Sequence, residues 1–143
     1  YPAVETGSAA TVNNNAKIPI SDLGKKPLNS KSDFTLSGGD GVNLSPGTYY
    51  FNKITLSGGS VIRISGKTII YAKGICSLSG GSLANLTSIP INLQLYPMGT
   101  TCSISGSSAF YGVVYGPSTV VTRSGTSDLF CVCAIFSLDN PTA

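Results

Sequence analysis

The chain has 143 residues, of which only 10% are charged, with 9 basic and 6 acidic side chains and a net charge of +3. This length suffices for a single domain with a buried core. No basic run and no apolar stretch of about 18 residues occurs, which argues against nucleic-acid binding and against a membrane span.

Residues 1–30 show no sustained hydrophobic period and contain an Asn13-Asn14-Asn15 run. They predict an irregular N-terminal segment, in which Lys17-Ile18-Pro19-Ile20 is a possible short edge strand. The sequence opens on Tyr1 rather than Met, which favours processing of a longer precursor.

Phrases of the type Leu-Ser-Gly recur through the rest of the chain. They begin at Leu36, Leu56, Leu78 and Ile104, at intervals of about 20 residues or slightly more. Self-similarity at such a period indicates a structural unit stacked on copies of itself. The repeat therefore predicts a solenoid.

Two further markers follow the phrases, an aliphatic residue followed by a hydroxyl residue, such as Leu44-Ser45, and an apolar strand such as Tyr49-Tyr50-Phe51. Three short strands per coil of roughly 20 residues are typical of a β-helix. No stretch has the 3.6-residue period of a helix. We therefore expect an all-β fold, a right-handed parallel β-helix of about five three-strand coils over residues 31–143, with little or no helix.

Alternation along the strands predicts which side chains face the core. Arg63 must face outward, so its neighbours Ile62 and Ile64 face inward. In the same register, the leucine or isoleucine of each phrase forms an inward aliphatic ladder, and the following glycine supplies a sharp corner. Tyr71 and Tyr115 are expected to belong to a partial aromatic ladder.

Four cysteines are present, Cys76, Cys102, Cys131 and Cys133. Their spacing does not fit a zinc site. Cys76 and Cys102 each precede the phrase by two residues, so stacking places them within disulfide range. The alternative is that both are small buried apolar residues. Cys131 and Cys133 are poorly placed to bond each other.

The sequence offers no group of residues suited to catalysis. It contains no histidine, which excludes Ser-His and Cys-His nucleophile systems. Asp40 and Asp128 fall at separate corners, too far apart for a paired-carboxylate site, and are expected to be solvated. We therefore expect no enzymatic activity and no cofactor or metal.

A row of hydroxyl side chains precedes the leucines of the phrase, at Thr35, Thr55, Ser77 and Ser103. The alignment predicts an outward hydroxyl ladder. Such a ladder could bind glycans or ice, or it could simply solvate an outer strand. Its departure from regular Thr-x-Thr rows makes ice binding the weaker interpretation.

Several longer phrases resemble a known family. Pro46-Gly47-Thr48-Tyr49-Tyr50-Phe51 and the later run from Ser108 to Pro117, Ser-Ala-Phe-Tyr-Gly-Val-Val-Tyr-Gly-Pro, are similar to the β-helical domain of bacterial type IV pilus-associated (PilX-like) surface proteins. The resemblance spans roughly residues 33–138 and implies a non-enzymatic extracellular domain. Members commonly carry an N-terminal hydrophobic helix, which this sequence lacks. Three alternatives follow: the helix is removed, a small helical pilin chain supplies it, or this protein assembles in a different way.

These observations lead to an expected function as a structural subunit of a bacterial surface filament or pilus, located outside the cell. The expected partner is a second copy or a helical pilin chain, with Ile18 and Ile20 meeting the open edge of a neighbour. One alternative is an adhesin or glycan-binding module acting through the hydroxyl ladder. Another is an ice-binding or inactive carbohydrate-active β-helix.

Overall fold

A computed structural model of the chain describes residues 2–105 and 110–124, and the backbone of residues 129–139. It contains twelve strands in these ranges. They are β1 (Asp33–Leu36), β2 (Gly41–Leu44), β3 (Gly47–Phe51), β4 (Lys53–Leu56), β5 (Ser60–Ile64), β6 (Thr68–Ala72), β7 (Cys76–Ser79), β8 (Gly81–Asn85), β9 (Leu93–Pro97), β10 (Thr101–Ser105), β11 (Phe110–Arg123) and β12 (Leu129–Asp139).

Every third strand pairs in parallel with its counterpart in the next turn. Strands β1, β4, β7 and β10 form one wall, β2, β5 and β8 the second, and β3, β6 and β9 the third. The long strand β11 joins two walls, because one part of it pairs with β9 and another part with β10. The all-β parallel solenoid is thereby confirmed.

The stack has about four turns, where the sequence predicted about five coils of three strands. The second wall contains only three described strands. After the short strands β9 and β10, the chain runs in two long strands, β11 and β12, which pair with each other over both halves. The later coils therefore depart from the three-strand pattern of the earlier ones, which the repeat phrases alone do not reveal.

The core consists of side-chain ladders that run along the axis of the stack. The predicted aliphatic ladder is confirmed, since Leu36, Leu56, Leu78 and Ile104 are all buried. The period-2 alternation of strands explains this, because every second residue of a strand faces the same side. Arg63 lies on the outer side of β5, as expected.

Glycine shapes the corner after the first wall. Gly38 and Gly58 have φ values of +62° and +61°, and they stack on each other in successive turns. A Cβ atom on Gly58 would lie 2.7 Å from the backbone nitrogen of Gly38. Glycine is therefore required there both by the left-handed backbone and by the close approach of the turns.

Helical structure in the described residues is limited to two single 3₁₀ turns, Asn15–Lys17 and Pro90–Asn92. The edge strand predicted for residues 17–20 is therefore wrong. Lys17 ends a 3₁₀ turn, and residues 18–20 lie outside any strand. Pro19 has no N–H group to donate to a strand ladder. The segment instead contacts the first turn through packing of the Ile18 side chain against the core.

Candidate functional site

Residues 14–29 lie across the first turn of the solenoid and cover the strand edges that would otherwise be open. At β3, the backbone N–H of Asn14 donates to the Thr48 carbonyl at 2.7 Å, and the Asn14 side chain accepts from the Thr48 N–H at 3.0 Å. Asn15 pairs with Tyr50 through its side chain alone, since its amide nitrogen donates to the Tyr50 carbonyl at 2.6 Å and its amide oxygen accepts from the Tyr50 N–H at 3.1 Å. The two asparagines thus take the place of a neighbouring strand.

The edges of the other two walls are covered by the continuation of the same segment. At β1, the Thr35 N–H donates to the Pro27 carbonyl at 2.9 Å, and Leu28 forms an antiparallel bridge with Phe34. At β2, the Asp22 N–H donates to the Gly41 carbonyl at 2.8 Å. We call residues 14–29 the N-terminal cap.

Asp40 anchors the cap to the corner before β2. Its carboxylate accepts hydrogen bonds from the Ser21 hydroxyl at 2.6 Å, the Leu23 N–H at 3.0 Å and the Gly41 N–H at 2.8 Å. Burial raises the pKa of this carboxyl, but these hydrogen bonds and Lys25 outweigh burial and leave the pKa below its ordinary value. The charged form is therefore the one that holds the cap.

The prediction that Asp40 is a solvated corner residue is wrong, because the residue is only 1% exposed. Its partners Ser21 and Leu23 lie 19 and 17 residues earlier in the chain. No repeat or local pattern links those positions to Asp40, so sequence reasoning had no signal for this contact. Asp128, the other expected corner acid, lies outside the described residues.

Ile18 and Ile20, the expected assembly residues, belong to the cap. Ile18 is partly buried and packs against the core of its own chain, whereas Ile20 is 54% exposed. A groove of about 400 Å³ runs between residues 15–20 and residues 26–28 of the cap. It is lined by Asn15, Ala16, Ile18, Pro19, Ile20, Lys26, Pro27 and Leu28.

Cys76 and Cys102 are paired directly across β7 and β10, as the alignment predicted. Both are buried free thiols with their Sγ atoms 2.6 Å apart, and the structure contains no disulfide in its described residues. The hydrogen bond with Cys102, together with burial, raises the pKa of Cys76 well above its ordinary value. The side chains of Cys131 and Cys133 lie outside the described part of the chain.

The hydroxyl ladder has the register that the sequence predicted. Thr35, Thr55, Ser77 and Ser103 pair in succession across the first wall. Thr122 of β11 extends the row beyond the predicted four. None of these five side chains is buried. The first wall therefore presents a continuous outer row of hydroxyls, which we call the hydroxyl face.

A row of four tyrosines lies on the outer side of the third wall. The ring centroids of Tyr50, Tyr71, Tyr96 and Tyr115 follow one another at 6.1, 5.1 and 6.2 Å. Tyr71 and Tyr115 are not neighbours in the row, since Tyr96 lies between them. Burial, with Tyr71 nearby, raises the pKa of Tyr96. This tyrosine row is longer than the partial ladder that the sequence predicted.

The first described residues lie against the tyrosine row. The Tyr115 hydroxyl donates to the Pro2 carbonyl, and the Tyr71 hydroxyl donates to the Glu5 carbonyl at 3.5 Å. We call residues 2–5 the N-terminal arm. Neither the arm nor its tyrosine partners could be paired from the sequence, because the contacts join residues 66 and 113 positions apart.

Two negative findings about the described residues bear on chemistry. No group of three or more His, Cys, Asp or Glu side chains is close enough to hold a metal ion within residues 2–105 and 110–124. Across the described parts of the chain, no helix has the length and hydropathy needed to cross a bilayer.

Comparisons with known proteins add no identification. No protein-family model, no curated protein and no solved structure gives a significant match to this chain. The cap groove, the hydroxyl face and the tyrosine row are therefore the features from which function is inferred.

Proposed function

We propose that this chain is a non-enzymatic structural subunit of a bacterial surface filament or pilus, located outside the cell, in which copies contact one another head to tail. The resemblance to pilus-associated β-helical domains supports the setting. The observation that carries the proposal is the groove on the N-terminal cap, at one end of the stack, whose lining combines apolar side chains with Asn15 and Lys26.

The groove fits a protein partner better than a small polar ligand. Ile18, Pro19 and Pro27 contribute apolar surface, and Lys26 supplies the only charge among its lining residues. Leu23, on the same cap, is 59% exposed. Exposed apolar surface rimmed by polar groups is typical of protein interaction sites.

The opposite end of the stack differs from the capped end. Strand β12 pairs with β11, and no other described strand pairs with it. An unpaired strand edge favours pairing with another chain. In the proposed contact, the β12 end of one copy meets the cap groove of the next.

Because the capped end and the β12 end of the stack are different surfaces, a contact between them can extend into a filament. A contact between two different surfaces is heterologous, and it extends into a filament when its rotation does not close a ring. A stack with continuous core ladders suits this role, because each turn is packed on its neighbours along the whole length.

The test compares two exposed isoleucines that differ in location. Ile20→Lys places a charge in the groove, whereas Ile75→Lys places one on the side of the stack, at nearly the same exposure of 53%. Both variants should retain the fold. Sedimentation velocity and negative-stain microscopy would follow assembly as the concentration of wild-type protein and of each variant is raised.

The expected result is assembly by the wild type and by Ile75→Lys, and its loss in Ile20→Lys. Assembly of Ile20→Lys at the wild-type level would overturn the proposed interface. A wild type that remains monomeric at all concentrations, without a helical pilin chain and with one added, would overturn the proposed function itself.

A second candidate function is favoured by the hydroxyl face. Its unbroken row suits hydrogen bonding to an extended glycan at a cell surface, as in an adhesin. A glycan array would compare the wild type with Thr35→Val/Thr55→Val, and with Thr11→Val as a control in an exposed turn away from this face. Loss of glycan signals in the double variant alone would support this candidate, and an array without any signal would exclude it.

A further inference from the structure

The tyrosine row recognises the main chain of the arm rather than its side chains. The rings follow one another along the axis, most closely for Tyr71 and Tyr96, whose planes differ by 21°. Ring faces cover one another where Tyr71 meets Tyr96, and the hydroxyls of Tyr71 and Tyr115 are the groups that bond to the arm. Both of the hydroxyl contacts to the arm end on backbone carbonyl oxygens.

The arm does not fill the space in which it lies. A cleft of about 460 Å³ lies between the arm and the row, lined by Pro2, Ala3, Glu5, Tyr71, Tyr96, Val113 and Tyr115. A second cavity beside the arm, of about 170 Å³, is lined by Ala3, Val4, Pro97, Met98, Pro117 and Ser118. The groove is thus wider than its present occupant, and any extended segment could make the same contacts.

The arm is also weakly attached compared with the cap. Pro2, Ala3 and Glu5 are exposed and Val4 is only half-buried. The arm joins the cap through a turn in which Gly7 has a φ of +54° and lies in open space, with no neighbouring atom within 4 Å of the point that a Cβ would occupy. Glycine and exposed turns absorb large changes in backbone direction.

We infer that the tyrosine row is an exchangeable docking groove, and that its partner is the N-terminal arm of a second copy of this chain. Exchange replaces each intramolecular contact by an identical intermolecular one, so that its cost is chiefly one of association. This exchange links copies side by side, independently of the head-to-tail contact.

The local protein concentration decides whether the arms stay on their own chains or are exchanged between copies. A segment that belongs to the same chain as its groove competes at an effective concentration on the order of 1 mM. Free copies in dilute solution therefore keep their own arms. Copies held close together in an assembly reach comparable local concentrations and exchange them.

Cysteine trapping tests the exchange directly. Glu5→Cys is made on one copy and Tyr71→Cys on another. The Tyr71 hydroxyl reaches the Glu5 carbonyl across the length of its ring, so the two new thiols are too far apart for a direct disulfide but within reach of a short bismaleimide cross-linker. Both copies carry Cys131→Ser and Cys133→Ser, which leaves only the buried Cys76 and Cys102. The two copies are mixed from about 10 µM to about 1 mM, treated with the bismaleimide, and separated by denaturing electrophoresis.

Two controls define the result. A single chain with both Glu5→Cys and Tyr71→Cys should give a cross-linked monomer at low concentration, which reports the position of the arm. Mixing the Glu5→Cys copy with a Thr35→Cys copy, changed on the hydroxyl face, reports random collisions.

We expect a heterodimer from the Glu5→Cys and Tyr71→Cys mixture, several-fold above the Thr35→Cys background and increasing with concentration. A heterodimer yield equal to that background, with the double variant cross-linked as a monomer, would mean that arms stay on their own chains and would overturn the inference. Failure of the double variant to cross-link would overturn it as well, because the arm would then not lie on the tyrosine row.

Discussion

Oxidation of the Cys76 and Cys102 thiols should lock the third turn of the solenoid to the fourth. The two residues are directly paired on neighbouring parallel strands, which lie about 4.8 Å apart. This separation is within the range of Cα distances found in disulfides. We therefore expect a disulfide when the protein folds under oxidising conditions.

The size of the effect follows from the loop that the bond would close. The two cysteines are 26 residues apart, and the loss of loop entropy in the unfolded chain corresponds to about 3.5 kcal/mol at 25 °C. For a chain of this length, such a change raises the melting temperature by on the order of 10 °C.

The rate at which the Cys76–Cys102 disulfide forms should depend on whether the protein is oxidised before or after it folds. The raised pKa of Cys76 disfavours the thiolate, which is the species that reacts in disulfide exchange. The folded, reduced protein should therefore oxidise slowly. Refolding in a glutathione redox buffer should form the bond efficiently, because both thiols are then accessible.

The assay is urea unfolding of oxidised and reduced protein in a background with Cys131→Ser and Cys133→Ser. Mass spectrometry after alkylation counts the free thiols in each sample. Cys76→Ala in the same background is the control, and its stability should not depend on redox conditions. Two alkylated thiols after oxidative refolding, or equal unfolding free energies for the oxidised and reduced forms, would refute the reasoning.

Three substitutions test the core, the cap and the corner. Leu56→Ala should lower the free energy of unfolding in urea by about 2–5 kcal/mol, because the substitution leaves a cavity in the ladder, whereas Leu86→Ala, at 62% exposure, should change it by no more than about 0.5 kcal/mol. Asp40→Asn should destabilise the protein at neutral pH. Because the pKa of Asp40 is lowered by folding, its contribution is complete above its ordinary value of 3.8 and is lost as the pH falls through the lower folded value. The difference in melting temperature between Asp40→Asn and wild type should therefore narrow below that pH, and a constant difference would contradict the role of the charge. Gly58→Ala should cost at least about 1 kcal/mol of stability in urea, because it meets both a positive φ and the Gly38 backbone; wild-type stability would contradict this.

Much of the stack was predictable because its determinants are local and repeated. The spacing of Leu36, Leu56 and Leu78 predicted the inward ladder, and the following glycines predicted the corners. The same alignment placed Cys76 beside Cys102 and put the hydroxyls in one outer row. A repeated unit has to stack in one register, so aligning the sequence with itself is equivalent to aligning neighbouring strands.

The candidate contact surfaces were less predictable. The cap has no period of its own, and its contacts join residues far apart, such as Asn15 with Tyr50. Asp40 looked like a solvated corner residue, and only the path of residues 21–23 across that corner buries it. The arm and the tyrosine row likewise meet only because the solenoid brings distant turns together.

By itself the sequence determined the repeating solenoid, its inward ladder and its outer hydroxyl row, because alternation and corner glycines act within each turn and recur along the stack. Only the tertiary structure decided how the first turn is covered, where Asp40 is buried and what lies against the tyrosines. Those features depend on hydrogen bonds that a non-repetitive segment makes with open strand edges, with the Asp40 carboxylate and with tyrosine hydroxyls, and any segment with suitable polar groups could supply them. The partner of an edge therefore becomes known only when the path of the chain is known.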